Sequence, residues 1–227
     1  VPIKKEAEKR LLTFWCGTEK IYEFEISCVD TEETYPEDFC AVLPVKKWKG
    51  QKIRIEGDVC ESLLSAVREK ESAVRENSGY IHFVPETGWI NDPNGLIYRE
   101  GKYHLYFQHN PVDVNWGNMS WGHAESTDLL HWVQKEDVMF PDENGTMFSG
   151  CAILNERGLL GLPKDTPVFF YTVAGSASEW SKGKKFVQRI AYSTDQGETL
   201  TKIEENVLEH IEADNRDPKV YWHEEKQ

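Results

Sequence analysis

The sequence lacks the features that define several large functional classes. It has no apolar run near the roughly 20 residues that span a bilayer, so no membrane association is predicted. Its 26 Lys and Arg residues are outnumbered by 39 Asp and Glu residues, and nucleic-acid binding needs the opposite balance. Residues 1–10 are charged and contain no apolar segment, so they predict no signal peptide. These absences leave the cellular compartment open.

Cysteine and metal chemistry also have little support. The five cysteines include no Cys-x-x-Cys pair, which argues against a zinc or thioredoxin-type site. Four of them, Cys16, Cys28, Cys40 and Cys60, lie early in the chain, where two disulfides and free thiols are both compatible with the sequence. Neither a His-Glu-x-x-His motif nor a glycine-rich phosphate loop occurs, and His104, His109 and His123 have no metal-ligand spacing. We therefore expect no metal and no cofactor.

Aromatic and acidic residues are abundant, and they concentrate in the second part of the chain. Aromatic residues make up 12% of the 227 residues. Six of the eight tryptophans, and most of the acidic excess, follow residue 80. Acids and aromatics with few bases suit a site for a neutral polar ligand such as a sugar. The simpler interpretation is a solvated acidic surface over an aromatic core, because net charge bears on solubility rather than on fold.

The first 79 residues predict a small β module followed by a helical linker. Apolar and polar residues alternate at 22–28 and at 53–56, which is the period of a half-buried strand. This assigns residues 1–60 to a β module. The pentapeptide Ser-Ala-Val-Arg-Glu at 65–69 recurs at 72–76 among strong helix formers. A linker helix is therefore predicted within 61–79, ending at Asn-Ser-Gly.

From residue 80 to residue 227 the pattern is all-β. Strands are predicted at 103–108, 167–173 and 187–193, separated by turns rich in Asp, Asn and Gly. Short strands without intervening helices predict a sandwich, a barrel or a propeller. Aromatic-rich segments at similar spacing favour the propeller.

Two Asp-Pro units are the strongest candidates for chemistry. In Asn-Asp-Pro-Asn-Gly at 91–95, the proline restricts Asp92 to an extended conformation, and Asn-Gly predicts a tight turn. Asp217 is likewise followed by a proline and is preceded by Arg216, so the same extended conformation is predicted. Each unit alone is typical of an exposed turn. Two rigid carboxylates in an acidic, aromatic β domain fit glycosidic chemistry.

The sequence resembles glycoside hydrolase family 32, which comprises invertases, levanases, inulinases and fructan β-fructosidases. Residues 89–95, Trp-Ile-Asn-Asp-Pro-Asn-Gly, resemble the family's signature. Five further blocks follow in the family's order, at 106–111, 116–124, 148–150, 191–197 and 216–220. The resemblance runs from about residue 81 to residue 223. It implies a partial five-bladed β-propeller, preceded by the small β-sandwich-like module and the linker helix.

The same resemblance implies a role for each matching residue. Asp92 would be the nucleophile of a retaining mechanism, Asp217 would stabilise the transition state, and Arg216 would orient the carboxylates. The fructose pocket would be lined by Asn91, Gln108, Trp116, Phe148 and Ser149. Strand alternation supports this for Gln108, which shares a face with polar residues of its strand. A buried core position is the alternative for Trp116.

One expected part of the family pattern is missing. The family's acid/base is a Glu beside a Cys, tens of residues after the Arg-Asp-Pro block, and only ten residues follow Asp217. Glu224 and Glu225 are too close to that block and are interpreted as surface residues. We expect an N-terminal fragment of a β-fructosidase, with a fructose-containing saccharide as substrate and the C-terminal half of the polypeptide as its partner. A non-catalytic fructan-binding protein and a fructosyltransferase remain alternatives, and the linkage and the endo or exo mode stay open.

Overall fold

The computed structural model describes residues 1–28, 37–59, 61–68, 75–77 and 81–226. Within these ranges the strands form four antiparallel sheets. No helix in these ranges has both the length and the apolarity to cross a membrane. Cys60 lies outside the described residues, and Cys16 and Cys40 form no disulfide within them.

The N-terminal module contains two small sheets around one apolar core. Its strands are β1 (Pro2–Ile3), β2 (Lys9–Cys16), β3 (Glu19–Ser27), β4 (Phe39–Cys40) and β5 (Ile53–Gly57), with a 3₁₀-helix at Lys46–Trp48. The sheet orders are β3-β2-β5 and β1-β4. The alternation along β2 buries Leu12 and Phe14 against Phe24 and Ile26 of β3. The predicted strands at 22–28 and 53–56 are confirmed.

The predicted continuous linker helix is wrong. Helix α1 (Glu61–Ala66) has only six residues, and strand β6 (Arg75–Asn77) lies where the helix was expected to end. The backbone of β6 pairs antiparallel with β10 (Trp132–Gln134). A short helix has little stability of its own unless one face packs against the protein. Pairing at the edge of the sheet gives β6 backbone hydrogen bonds, and these outweigh the helix propensity of its residues.

Residues 89–208 form two blades of successive antiparallel strands. The first blade contains β7 (Trp89–Arg99), β8 (Lys102–Asn110), β9 (Ser120–Ser126) and β10, with β6 outermost. The second contains β11 (Thr146–Leu154), β12 (Pro167–Ala174), β13 (Val187–Tyr192) and β14 (Thr201–Leu208). Each blade begins with its innermost strand, and β7 lies beside β11. The three predicted strands are confirmed as β8, β12 and β13, and this meander is the architecture of propeller blades.

Aromatic rings pack edge to face between the blades. Phe169 lies 4.8 Å from Tyr106 and 6.2 Å from Trp121, centroid to centroid, and all three are buried. Such edge contacts add stability beyond the burial of area. Gly95 lies directly against this cluster, because a Cβ there would be 3.1 Å from Tyr106 and 3.2 Å from Phe169.

The predicted turn at Asn94 and Gly95 is therefore wrong. Both residues lie inside β7, whose pairing with β8 shifts register on both sides of Pro93. A bulge accepts a proline because the missing N–H has no partner to satisfy there. The predicted extended conformation of Asp92 is confirmed by its place in this strand.

A buried histidine pair lies beside Tyr106 in the first blade. His104 Nδ1 is 3.1 Å from His123 Nε2, and the His123 ring stacks on Tyr106 at 4.4 Å. Burial, together with the neighbouring His104, lowers the pKa of His123 to about 3. His123 is therefore neutral in the folded protein at mildly acidic pH, whereas an unfolded histidine would be protonated.

Folding stability is expected to fall as the pH is lowered from 6.5 towards 4. The unfolded chain takes up a proton at His123 in this window and the folded chain does not, which costs about 1 kcal/mol per pH unit. Replacing His123 by Phe keeps an aromatic ring and removes this dependence. Urea unfolding at pH 7, 6, 5 and 4 should show a shallower pH slope for His123→Phe than for the wild type. Parallel slopes would contradict the assignment.

Candidate active site

Two bulged strands bring Asp92 and Ser149 together at the inner edge of the blades. The register of β11 shifts between Met147 and Gly150, beside the irregular stretch of β7 around Pro93. Bulges re-aim side chains that would otherwise follow the regular pleat. Ser149 Oγ donates a 2.7 Å hydrogen bond to Asp92 Oδ2. One carboxylate oxygen of Asp92 is thereby held, and the side chain is exposed to a cleft.

Asn94 organises the groups behind this pair. With its amide oriented to satisfy its neighbours, the oxygen accepts from Trp121 Nε1 at 3.1 Å and from Gln108 Nε2 at 3.0 Å, and the nitrogen donates to Ser149 Oγ at 3.3 Å. Gln108 Nε2 also donates to the Met147 carbonyl at 2.8 Å. Sequence reasoning missed Asn94, because its partners lie on three other strands and its Asn-Gly dipeptide is typical of a turn.

All eight residues predicted from the sequence line one open cleft of about 650 Å³. They are Asn91, Asp92, Gln108, Trp116, Phe148, Ser149, Arg216 and Asp217. Six further residues complete the lining, and none of them was predicted. They are Met119, Gly175, Ser176, Ala177, Phe186 and Asp214.

One wall of the cleft is aromatic. The Phe148 ring stands edge to face against Trp116 at 5.9 Å and against Phe186 at 5.6 Å. Trp116 is 54% exposed, which contradicts the alternative that it is a core residue. An exposed aromatic face beside polar groups can pack against the C–H side of a sugar ring.

Acidic groups and one arginine face this wall. Arg216 Nη1 donates to Asp214 Oδ1 at 3.0 Å, and its Nε lies 3.4 Å from Asp217 Oδ2. With Asp92, the cleft holds three carboxylates and one guanidinium among its lining residues. This excess of negative charge would stabilise a positive charge developing on a bound ligand.

The predicted extended conformation of Asp217 is wrong. Its φ is +62°, in the left-handed region. Its N–H donates to Thr172 Oγ1 at 3.0 Å, and Thr172 is fully buried in β12. The following proline favours an extended conformation, and the hydrogen bond to Thr172 holds Asp217 in the left-handed region against that preference.

Gln188 of β13 holds the same anchor in place. It accepts a 2.6 Å hydrogen bond from Thr172 Oγ1, and its Nε2 donates to the Asn215 carbonyl at 2.8 Å. The segment that carries Arg216 and Asp217 is thus tied to two buried side chains of the second blade. The sequence does contain a signal for this role. Thr172 and Gln188 are polar residues in two strands whose other inward positions are apolar.

Among the described residues, one group could coordinate a metal ion, and it lies away from the cleft. It consists of His104, His123 and Glu125, whose ligand atoms lie within 4.8 Å of one another. The spacing in sequence did not reveal it, because β8 and β9 bring the side chains together. Lys102 Nζ lies 2.9 Å from Glu125 Oε2, and Lys135 Nζ lies 3.8 Å from it. These ammonium groups already balance the carboxylate.

Comparison with known proteins places this geometry in a family. Residues 82–227 match the model described as "Glycosyl hydrolases family 32 N-terminal domain". The chain is 42% identical over 150 residues to a levanase of Bacillus subtilis, an alignment that covers 64% of this chain and 21% of the levanase.

Two solved structures share the fold at 36% and 39% identity. An exo-inulinase from Aspergillus awamori matches 65% of this chain and 33% of its own, with a TM-score of 0.56. A fructofuranosidase from Schwanniomyces occidentalis, solved with fructose, matches 64% and 30%, also with a TM-score of 0.56.

The two blades are thus part of a five-bladed propeller, as predicted. The chain spans about a fifth to a third of the length of the levanase, of an exo-inulinase and of an invertase that it matches. The match of the family model to most of the chain is decisive, and the chain belongs to glycosyl hydrolase family 32.

Proposed function

We propose that the chain forms part of a retaining glycosidase that hydrolyses β-fructofuranosyl bonds in saccharides such as sucrose, levan or inulin. The observation that carries the proposal is the Ser149–Asp92 hydrogen bond in a cleft that also contains Arg216, Asp217 and Trp116. Related proteins are named levanase, exo-inulinase and invertase, which supports the substrate class.

In the first step Asp92 is the nucleophile. Ser149 holds Oδ2, so Oδ1 is left to attack the anomeric carbon of the fructosyl unit. The new bond joins Oδ1 to that carbon, the glycosidic C–O bond breaks, and the departing oxygen takes a proton from an acid. In the second step water attacks the same carbon, the acid's conjugate base takes the proton of the water, and the ester bond to Asp92 breaks. Two inversions give net retention.

The other cleft residues bind the sugar and stabilise charge. Asp217 and Arg216 form a coupled pair 3.4 Å apart, suited to fructose hydroxyls and to the oxocarbenium-like transition state. Gln108 and Asn91 offer amide groups, and Trp116 offers an aromatic face. By binding the sugar, these groups hold its anomeric carbon in the orientation that the reaction requires.

The acid/base, which protonates the departing oxygen, is not assigned to any residue of this chain. A retaining enzyme needs a second carboxyl group about 5–5.5 Å from the nucleophile. The other carboxylates that line the cleft, Asp214 and Asp217, lie 3.0 Å and 3.4 Å from the Arg216 guanidinium, and we assign them to sugar binding and charge stabilisation. We propose that a glutamate elsewhere in a longer polypeptide provides the proton. The partial coverage of the relatives supports this proposal.

Calorimetric titration with fructose, sucrose and 1-kestose tests the proposal directly on this chain. We expect saturable binding with no more than trace hydrolysis. Trp116→Ala should weaken binding about tenfold, because the packed aromatic face contributes about 1 kcal/mol. Trp222→Ala is the matched control, since Trp222 packs on Arg157 and does not line the cleft.

Three outcomes separate the alternatives. Absence of binding to every fructose-containing saccharide would overturn the proposal. Rapid hydrolysis by this chain alone would overturn the assignment of the acid/base to another part of the polypeptide. If the longer polypeptide transfers fructose to a sugar acceptor and not to water, it is a fructosyltransferase that uses the same intermediate.

A further inference from the structure

The loop at residues 111–119 connects the sugar cleft to the N-terminal module. It joins β8 to β9, and Trp116 and Met119 in it line the cleft. At its start, Val112 is fully buried and belongs to the same apolar cluster as Leu12 and Ile26 of the module. The loop and the module therefore share a core.

Asn118 closes the other end of this loop onto strand β3. Its Oδ1 accepts from the Glu25 backbone N–H at 2.9 Å, and its Nδ2 donates to the Glu25 carbonyl at 2.8 Å. Nδ2 also lies 3.3 Å from Asn110 Oδ1, at the end of β8. The φ of Asn118 is +45°, a conformation that Asn tolerates better than most residues. The side chain pairs with the edge strand as another strand would.

Asp113 ties the middle of the loop to the same module. It is completely buried, and its Oδ2 lies 3.1 Å from Lys9 Nζ and 3.4 Å from Ser27 Oγ. Its Oδ1 accepts from the backbone N–H of Asn115, beside Trp116, at 3.1 Å. A buried carboxylate needs such partners to offset its desolvation. Three positions in the loop are thus anchored on the module.

The module also contacts a second loop of the cleft. Lys20 Nζ lies 4.8 Å from the centre of the Trp180 ring. Trp180 belongs to the β12–β13 connection, whose first residues, Gly175, Ser176 and Ala177, line the cleft. Within it, the Ser176 N–H donates to the Ser181 carbonyl at 3.0 Å, so the loop is internally braced.

We propose that the N-terminal module is a positioning element of the saccharide site, which holds the loop of Trp116 in its binding geometry. The family model begins at residue 82, so the module lies outside the shared domain. The inference rests on the proposed function only in taking the ligand to be a fructose-containing saccharide. If the loop at residues 111–119 were released from the module, it would be more mobile, and saccharide binding would have to order it. The affinity would fall although no group that touches the sugar has changed.

The test compares Asn118→Gly with Glu25→Ala in the whole chain. Glycine permits the positive φ and removes the clamp. The Glu25 side chain is exposed and its backbone groups make the contacts, so Glu25→Ala preserves them. Two readouts are used: hydrogen–deuterium exchange of residues 111–119, and calorimetric affinity for 1-kestose. We expect faster exchange and about tenfold weaker binding for Asn118→Gly only, with the exchange of β13 unchanged.

The outcomes distinguish this inference from the proposed function. If the wild type binds 1-kestose and Asn118→Gly binds equally well, the positioning role is overturned and the proposed function stands. If the wild type binds no fructose-containing saccharide, both are overturned. Should Asn118→Gly fail to fold, Asp113→Asn provides the same test, because it keeps the side-chain size and loses the contact between charges with Lys9. Unchanged exchange and affinity in that variant would overturn the role.

Discussion

In the longer glycosidase proposed above, Asp92→Asn is expected to lower kcat by about 10⁴-fold or more. The amide keeps the size of the side chain and its contact with Ser149. On the proposed mechanism an amide cannot form the covalent intermediate, so the variant loses the reaction path that the other cleft residues would serve. Binding of the saccharide should change little, because Asn91, Gln108 and Trp116 remain in place.

The measurement is the initial rate of fructose release from sucrose and from inulin, together with the affinity of this chain for 1-kestose. Asp165→Asn is the matched control. Asp165 is exposed, lies outside the cleft and has a φ of +62° that Asn also tolerates. Near-normal turnover by Asp92→Asn would remove Asp92 as the nucleophile. Equal losses in both variants would indicate a general effect of the substitution type.

Gly150→Ala is expected to destabilise the fold by about 3 kcal/mol and to abolish saccharide binding. A Cβ at this position would lie on the Phe170 carbonyl oxygen and 2.8 Å from Tyr171 Cα, both backbone atoms of the paired strand β12. Backbone in the centre of a sheet cannot yield as a flexible side chain can, so overpacking is costly here. The strand must shift at the bulge that presents Ser149, which separates Ser149 from Asp92.

Thermal unfolding and calorimetric titration with 1-kestose measure the two effects. For a chain of this length, 3 kcal/mol lowers the Tm by about 10 °C. Gly183→Ala is the control, because nothing lies within 4 Å of a Cβ there and only its φ of +85° opposes the change. Its expected cost is about 1 kcal/mol, with binding retained. A Gly150→Ala protein with wild-type Tm and affinity would show that β11 adapts without moving the site.

The sequence predicted which residues meet in the cleft better than it predicted how they are held. Each predicted site residue lies in a block of the family's pattern, and all of them line one cleft. Alternating residues also predicted β3 and β5, because one face of a half-buried strand is apolar. The proposed roles of Asp92 and Asp217 rest on that pattern and await the experiments above.

Local rules failed where distant partners decide the conformation. Asn94 and Gly95 have the composition of a turn, yet aromatic packing from the second blade and hydrogen bonds from Gln108 and Trp121 retain them inside β7. Helix α1 ends at Ala66, well before the predicted end. Strand β6 then pairs with β10, which lies more than 50 residues further along the chain.

By itself, therefore, the sequence determined the fold class, the family and eight of the residues that line the cleft. Only the tertiary structure decided the left-handed Asp217, the bulges that aim Asp92 and Ser149, and the clamp of Asn118 on Glu25. Residue type and periodicity report which side of a strand is buried. They do not report hydrogen bonds between distant elements, such as those that join Asn118 to Glu25, 93 positions away, and Ser149 to Asp92, 57 positions away.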